Sequence, residues 1–375
     1  MIYHLLRPYA AEWNLANLVT YISVRAAAAA LLAFIAALFV GPAIIRWLRS
    51  RGWIEPIIKS DSDVVRASAE AKKGTPTMGG FIILAAILIA LGVFGNFSNV
   101  YVLLAYCAAA GFGVIGFADD YIKLAYADRK GLRALAKIIL QGGVAFALAV
   151  GLFKLVVAAG DGLEGNPWLV LKPPFFKDWG IDLSVAGGLL YVGLATLVVV
   201  ATSNGVNLSD GLDGLASGCV VLAALAMAFL AYVAGRVDWC SYLHLPHVPG
   251  CGELAVVMAA LAGGALGFLW FNAFPAEVFM GDTGSLMLGG LIGYVAVVAR
   301  HELTLLIVGG IFLAESVSVI LQVGSYKLRR RRVFLQAPIH HHFQKRGWHE
   351  VKVTTRFWII GAILALLGMA TVKIR

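Results

Sequence analysis

Residues 100–123 read VYVLLAYCAAAGFGVIGFADDYIK. The run through residue 118 is apolar and long enough to cross a bilayer as a helix. It stops on two adjacent aspartates, Asp119 and Asp120, with Lys123 just after. Carboxylates are costly beside hydrocarbon, so a pair at the end of a span marks a functional site by default. The same apolar length recurs along the chain, at roughly 22–46, 79–96, 100–118, 134–158, 184–203, 212–234, 254–273, 284–300, 303–323 and 357–373. The spacing predicts an all-α integral membrane protein with about ten transmembrane helices in a single domain, 1–375. Of all residues, 60% are hydrophobic and only 14% charged, against about 25% charged in soluble domains. Gly263–Gly264 and Gly289–Gly290 are small enough to let helices pack closely within a membrane.

The net charge of +9 raises the question of nucleic acid, and its distribution answers against it. With the N-terminus outside and ten alternating spans, the inside stretches 46–73, 123–137 and 327–356 hold 21 of the 30 Lys and Arg residues. That is the positive-inside pattern, with both termini outside. The run Lys327-Leu328-Arg329-Arg330-Arg331-Arg332 reads as a topology anchor that also attracts anionic lipid. No cleavable signal is evident. The lead-in MIYHLLRPYAAEWNLANLVTYI reads as a short amphipathic segment at the interface.

Two outside features are structural. Alternation around Pro173-Pro174 predicts a small β-hairpin over 168–184. Cys240 and Cys251 flank an outside loop and could form a disulfide in an oxidising exterior, though spacing alone does not establish the geometry. Cys107 and Cys219 lie in apolar runs and read as packing residues.

Chemistry concentrates in the inside loops. KKGTPTMGG (72–80) offers Lys72 and Lys73, the hydroxyls of Thr75 and Thr77, and glycines that admit close backbone approach; its spacing is not that of a Walker A loop. In the second loop Asp119 and Asp120 point about 100° apart on a helix, so they should hold different jobs, with Lys123 in reach of both. Lys130, Arg133 and Lys137 follow. In NGVNLSDGLDGLA (204–216), Asn204, Asn207, Asp210 and Asp213 recur at intervals of three and would line one side of a helical path. The loop lacks the ligand spacing and closing Glu of an EF-hand. In WFNAFPAEVFMGDTGS (270–285), Asn272 and Asp282 flank Phe274, Phe279 and Met280; an aromatic here suits stacking on a flat base, while Asp282 could simply cap a helix. The fifth loop carries APIHHHFQKRGWHE (337–350). Three consecutive histidines spread around a helix, which argues against tetrahedral zinc and leaves phosphate binding or proton transfer.

Aspartates, amides, hydroxyls, lysines and histidines on one face suit a diphosphate held through Mg²⁺. In phosphoryl transfer a protein mostly positions groups and stabilises charge. The residues alone therefore predict Mg²⁺-dependent phosphoryl or phosphosugar transfer at the cytoplasmic face, with a lipid as one reactant. A transporter would place its ionisable groups near the bilayer midplane. Only Glu315, about midway along the ninth predicted helix, fits that pattern, and the sequence gives it no role.

KKGTPTMGG, GFADDYIK (116–123), NGVNLSDGLDGLA, FNAFPAEVFMGDTGSL (271–286) and APIHHHFQKRGW (337–348) resemble, in order, the signatures of the phospho-N-acetylmuramoyl-pentapeptide-transferase family. That family is a branch of the polyprenyl-phosphate N-acetylhexosamine-1-phosphate transferase superfamily. The aspartate loops are shared across the superfamily, whereas APIHHHF separates this branch from relatives that transfer N-acetylglucosamine phosphate. The resemblance implies a multi-pass protein of the bacterial inner (cytoplasmic) membrane, Mg²⁺-dependent and commonly dimeric. It implies transfer of phospho-MurNAc-pentapeptide from UDP-MurNAc-pentapeptide to undecaprenyl phosphate, giving lipid I and UMP in the first membrane step of peptidoglycan synthesis. A related transferase using another UDP-N-acetylhexosamine is the alternative.

It also implies roles. Asp282 would be a direct Mg²⁺ ligand, with Asp210 beside it. Asp119 would deprotonate the lipid phosphate, and Asp120 would support it or the metal. Asp213, a catalytic residue, and Asp210 would line the metal and UDP-sugar site with Asn204 and Asn207; an aspartate of this loop would be the nucleophile in a two-step route, and direct attack is favoured. Phe279 would stack on uracil, helped by Asn272. Lys72, Thr77, Lys123 and Lys137 would contact substrate phosphates, and His341 and His342 the diphosphate or sugar. After Lys123 the family often runs Lys/Arg-rich, whereas Ala125, Tyr126, Ala127 and Asp128 stand here, so position 127 receives no role.

Overall fold

The computed structural model describes residues 2–54, 74–125, 131–160, 162–163, 165–176 and 179–374. The main helices are α1 (Ile22–Ser50), α2 (Gly80–Phe94), α3 (Val100–Ala125), α4 (Ala134–Ala159), α5 (Leu189–Ser209), α6 (Leu215–Ala234), α7 (Leu254–Asn272), α8 (Gly281–Val298), α9 (Gly310–Arg329), α10 (Ile339–Lys345) and α11 (Glu350–Ala370). Among the described residues nine helices are long and apolar enough to cross a membrane. The remaining predicted span, 79–96, is α2, which has 15 residues, about 22 Å at the α-helical rise, shorter than the bilayer core.

The other boundary differences share one cause. α3 runs on to Ala125, α5 to Ser209 and α9 to Arg329, and α11 begins at Glu350. Each extension is polar, so hydropathy ends the element where water begins although the backbone hydrogen bonds continue. The predicted span 303–323 is also interrupted at Gly309, between a short helix Thr304–Val308 and α9.

α7 and α8 form the centre, with 83% and 89% of their apolar windows buried. α7 packs on α1, α6 and α2, while α8 packs on α3 and α5. Small residues permit this. A methyl added at Gly263 would lie 2.0 Å from the Ala30 carbonyl oxygen, and one at Gly289 would lie 2.5 Å from that of Thr202. α1, α4, α5, α9 and α11 turn most of their surface outward; Phe39, Leu135, Leu197, Ile320 and Leu366 are exposed, as a hydrocarbon solvent allows.

The end of the bundle opposite the aspartates is pinned by ion pairs. Arg25 on α1 donates to both Glu253 oxygens at 2.7 Å, and Arg300 pairs with Glu302 at 2.8 Å. Arg300 also donates to the Val170 carbonyl at 3.1 Å, which ties down the expected hairpin. Its strands, β1 (Val170–Leu171) and β2 (Ile181–Asp182), pair antiparallel with Val170 opposite Asp182. Cys240 and Cys251 are buried free thiols, and Cys240 Sγ donates to the Val233 carbonyl at 3.2 Å.

Candidate active site

Asp119 and Asp120 lie within α3, and both are buried. They serve different neighbours. Asp120 faces the start of α8. Its Oδ1 accepts from the Asp282 backbone N–H at 3.1 Å. Its Oδ2 accepts from the Thr283 N–H at 2.8 Å and the Thr283 hydroxyl at 2.7 Å. The first N–H groups of a helix have no partner within it and carry partial positive charge. Asp120 therefore caps α8 from a neighbouring helix. The approach depends on Gly116, one turn earlier: a Cβ there would lie 2.1 Å from the Asp282 carbonyl oxygen.

Asp119 turns toward the α3–α4 connection. Its Oδ1 accepts from the Leu132 N–H at 2.7 Å. Its Oδ2 lies 2.6 Å from Lys123 Nζ and 3.5 Å from Lys137 Nζ. Asp282 completes the group from the first turn of α8. Its Oδ1 accepts from Asn207 Nδ2 at 2.7 Å, and its Oδ2 accepts from Lys123 at 3.0 Å and Lys137 at 2.5 Å. Asn207 is itself held by the Ser285 hydroxyl at 2.8 Å.

Asp119, Asp120 and Asp282 thus bring carboxylate oxygens within 4.8 Å of one another. Two ammonium groups meet three carboxylates, so the cluster keeps a surplus negative charge. Hard oxygen donors with that surplus fit a divalent cation such as Mg²⁺, which commonly takes one or two carboxylates plus substrate phosphate. These three residues could hold one.

The first and fourth inside loops form a lip over the cluster. The Phe279 N–H donates to the Pro76 carbonyl at 2.9 Å, Gly79 N–H to Phe279 at 2.7 Å, and Gly80 N–H to Met280 at 2.9 Å. Thr77 is buried in this lip. A Cβ on Gly281 would lie 2.7 Å from Asp120 Oδ2 and 3.2 Å from Thr77 Oγ1, so hydroxyl and carboxylate flank the same turn. Phe279 is half-buried beside them. Lys72 lies outside the described residues.

The third loop divides. Asn204 and Asn207 sit on α5, but the helix ends at Asp210 (φ −85°, ψ 47°), so the row of four does not continue along one face. Asn204 donates to Gln141 on α4 at 2.6 Å. Asp210 and Asp213 are not in the carboxylate cluster. Asp213 is buried; its Oδ2 accepts from the Ala276 N–H at 3.0 Å, and its own N–H donates to Glu350 at 2.8 Å. Asn272 is likewise engaged. Its Oδ1 accepts from the Gly214 N–H and the Ser217 hydroxyl, and its amide donates to the Val278 carbonyl at 2.9 Å. These contacts fasten the third loop to the fourth and to α11.

The histidines occupy three environments on α10. His340 is buried. His341 Nδ1 lies 2.7 Å from Gln344 Oε1. Burial, and secondarily the neighbouring His340, lowers its pKa to about 4, so it is neutral at pH 7. His342 Nδ1 accepts from the Leu335 N–H at 3.1 Å. Sequence reasoning missed Thr283, Ser285, Gln141 and Glu350. Thr283 was visible in MGDTGS as a residue beside the key aspartate. Gln141 and Glu350 carry no local signal, because only the fold brings them to their partners.

The decisive comparison is with a known family: residues 102–300, from α3 through α8, match glycosyl transferase family 4. The chain belongs to that family. Its activity is accordingly phosphosugar transfer to polyprenyl phosphate at a membrane. The match contains Asp119, Asp120, Lys123, Lys137, Asn207 and Asp282. It stops before the histidine segment.

Proposed function

We propose that the chain transfers phospho-MurNAc-pentapeptide from UDP-MurNAc-pentapeptide to undecaprenyl phosphate, yielding lipid I and UMP. The reading places the site at the cytoplasmic face of a bacterial inner membrane, in a homodimer. The observation that carries the chemistry is the meeting of Asp119, Asp120 and Asp282 with Lys123 and Lys137 at one end of the bundle. The choice of sugar rests on the likeness of APIHHHF, which lies beyond the family match, to the MurNAc-pentapeptide branch.

In this reading an oxygen of undecaprenyl phosphate attacks the phosphorus bonded to the sugar. The bond from that phosphorus to the bridging oxygen breaks, and UMP leaves with the oxygen. Asp119 takes the proton of the lipid phosphate; its Oδ2 lies beside Lys123 and Lys137, the two cations this reading gives to the substrate phosphates. Asp282 would hold Mg²⁺, and Asp120 aims Asp282. When bound, Mg²⁺ would neutralise charge on the diphosphate. Phe279 stacks on uracil. We favour direct attack over a covalent route through Asp213, which lies outside the Asp119–Asp120–Asp282 cluster and accepts from the Ala276 N–H.

The test is UMP release by purified protein in detergent with undecaprenyl phosphate and Mg²⁺. UDP-MurNAc-pentapeptide should support turnover and UDP-N-acetylglucosamine should not. Release with the second donor alone would assign the chain to another branch of its family.

A further inference from the structure

α9 is mostly lipid-facing, but one face is buried: Ile311, Phe312, Glu315 and Ser318. That face packs on α5, where a Cβ on Gly205 would lie 3.2 Å from Phe312 Cβ. Glu315 is 0% exposed and His340 is 1% exposed. Glu315 Oε1 lies 3.1 Å from His340 Nδ1. Neither carboxylate oxygen and neither ring nitrogen has a hydrogen-bond partner among the described residues, so the 3.1 Å approach is a close contact and not an aligned hydrogen bond.

A carboxylate so enclosed is strongly unfavourable unless an opposite charge meets it. His340 is the group in reach. Its ring also lies over the third loop: a Cβ on Gly211 would lie 2.2 Å from His340 Nε2. It also lies against His341, the two rings tilted by 58° with centroids 4.1 Å apart.

We propose that Glu315 and His340 form a buried carboxyl–imidazole pair that positions the α10 histidines against the turn at Asp210 and Gly211. Glu315 is then a positioning residue that acts through His340. The inference rests on the transferase reading for its kinetic consequence, but not for its structural one.

The test uses the full-length protein in detergent and three variants: Glu315→Gln, His340→Gln and the double variant. Hydrogen–deuterium exchange is the first readout. Each single variant should exchange faster over 339–345 and 207–213, with 285–298 unchanged. Kinetics is the second. Each single variant should lose roughly tenfold or more in kcat/KM, mainly through KM for the nucleotide sugar. The double variant removes both buried partners together, so it should be no worse than the poorer single one. Poor recovery of a folded single variant beside good recovery of the double supports the same coupling. Wild-type exchange in both single variants, or losses that multiply in the double, overturns the pair. If the wild-type protein does not use UDP-MurNAc-pentapeptide, the substrate reading fails while the exchange comparison still decides the pair.

Discussion

Asp120 holds Thr283 twice, accepting from its backbone N–H at 2.8 Å and its hydroxyl at 2.7 Å through one oxygen. Its other oxygen takes the N–H of Asp282. The first turn of α8 is therefore fixed by a residue on α3, and the Asp282 side chain is aimed by that turn.

Asp120→Asn should weaken this cap. Hydrogen bonds to a charged group contribute about 1.5–3 kcal/mol each, so a melting temperature several degrees lower is expected, together with reduced turnover. Thr283→Val should show a smaller version, about 1–2 kcal/mol, because only the hydroxyl bond is lost. An Asp120→Asn protein that is inactive yet melts like wild type would give Asp120 a chemical role in place of a supporting one.

Gly116→Ala should separate the helices that carry the two halves of the cluster. Its methyl would meet the Asp282 carbonyl at 2.1 Å, and overpacking of this kind costs about 1–3 kcal/mol. Turnover should fall further than stability, because the displaced atoms belong to the aspartate that closes the cluster. Full activity in this variant would show that α3 and α8 can shift without consequence.

Mg²⁺ should raise the melting temperature of the wild-type protein. At a hundred times its dissociation constant a ligand stabilises by about 2.7 kcal/mol. Chelation should abolish turnover. Asp282→Asn and Asp119→Asn should each lower turnover by orders of magnitude, and Asp282→Asn should shrink the Mg²⁺-dependent shift, while the protein stays folded. An undiminished shift in Asp282→Asn removes it as a ligand.

His341 predicts a pH dependence. Its pKa in the folded chain is about 4, below the ordinary 6.5. As pH falls below 6.5 the unfolded chain takes the proton first, so stability is lost between about pH 6.5 and 4. The drop in melting temperature from pH 7 to pH 5 should be smaller in His341→Gln than in wild type. Equal drops would place the titration elsewhere.

The spans were legible because a bilayer demands about twenty apolar residues, and that length is hard to hide. Asp119, Lys123, Asn207 and Asp282 were legible because polar groups stand out where spans end. Two kinds of information were not. Helix ends that continue into water, such as Asn204–Ser209 on α5, look like loops to hydropathy. Partners set by tertiary packing, such as Glu350 with Asp213 or Gln141 with Asn204, have no spacing to betray them. The regular interval of Asp210 and Asp213 suggested one row with the asparagines, but the chain leaves the helix at Asp210 and sends Asp213 to the fourth loop.

The bond from Asp282 to Asp120 joins residues 162 positions apart. A chain made at about 5–20 residues per second needs about 8–30 s to cover that distance. During synthesis α3 is thus complete long before the segment that occupies its carboxylate exists. The aspartate can wait because it stands at the watery end of its helix, where solvent can serve as a temporary partner. At mid-depth it would have no such partner while it waits.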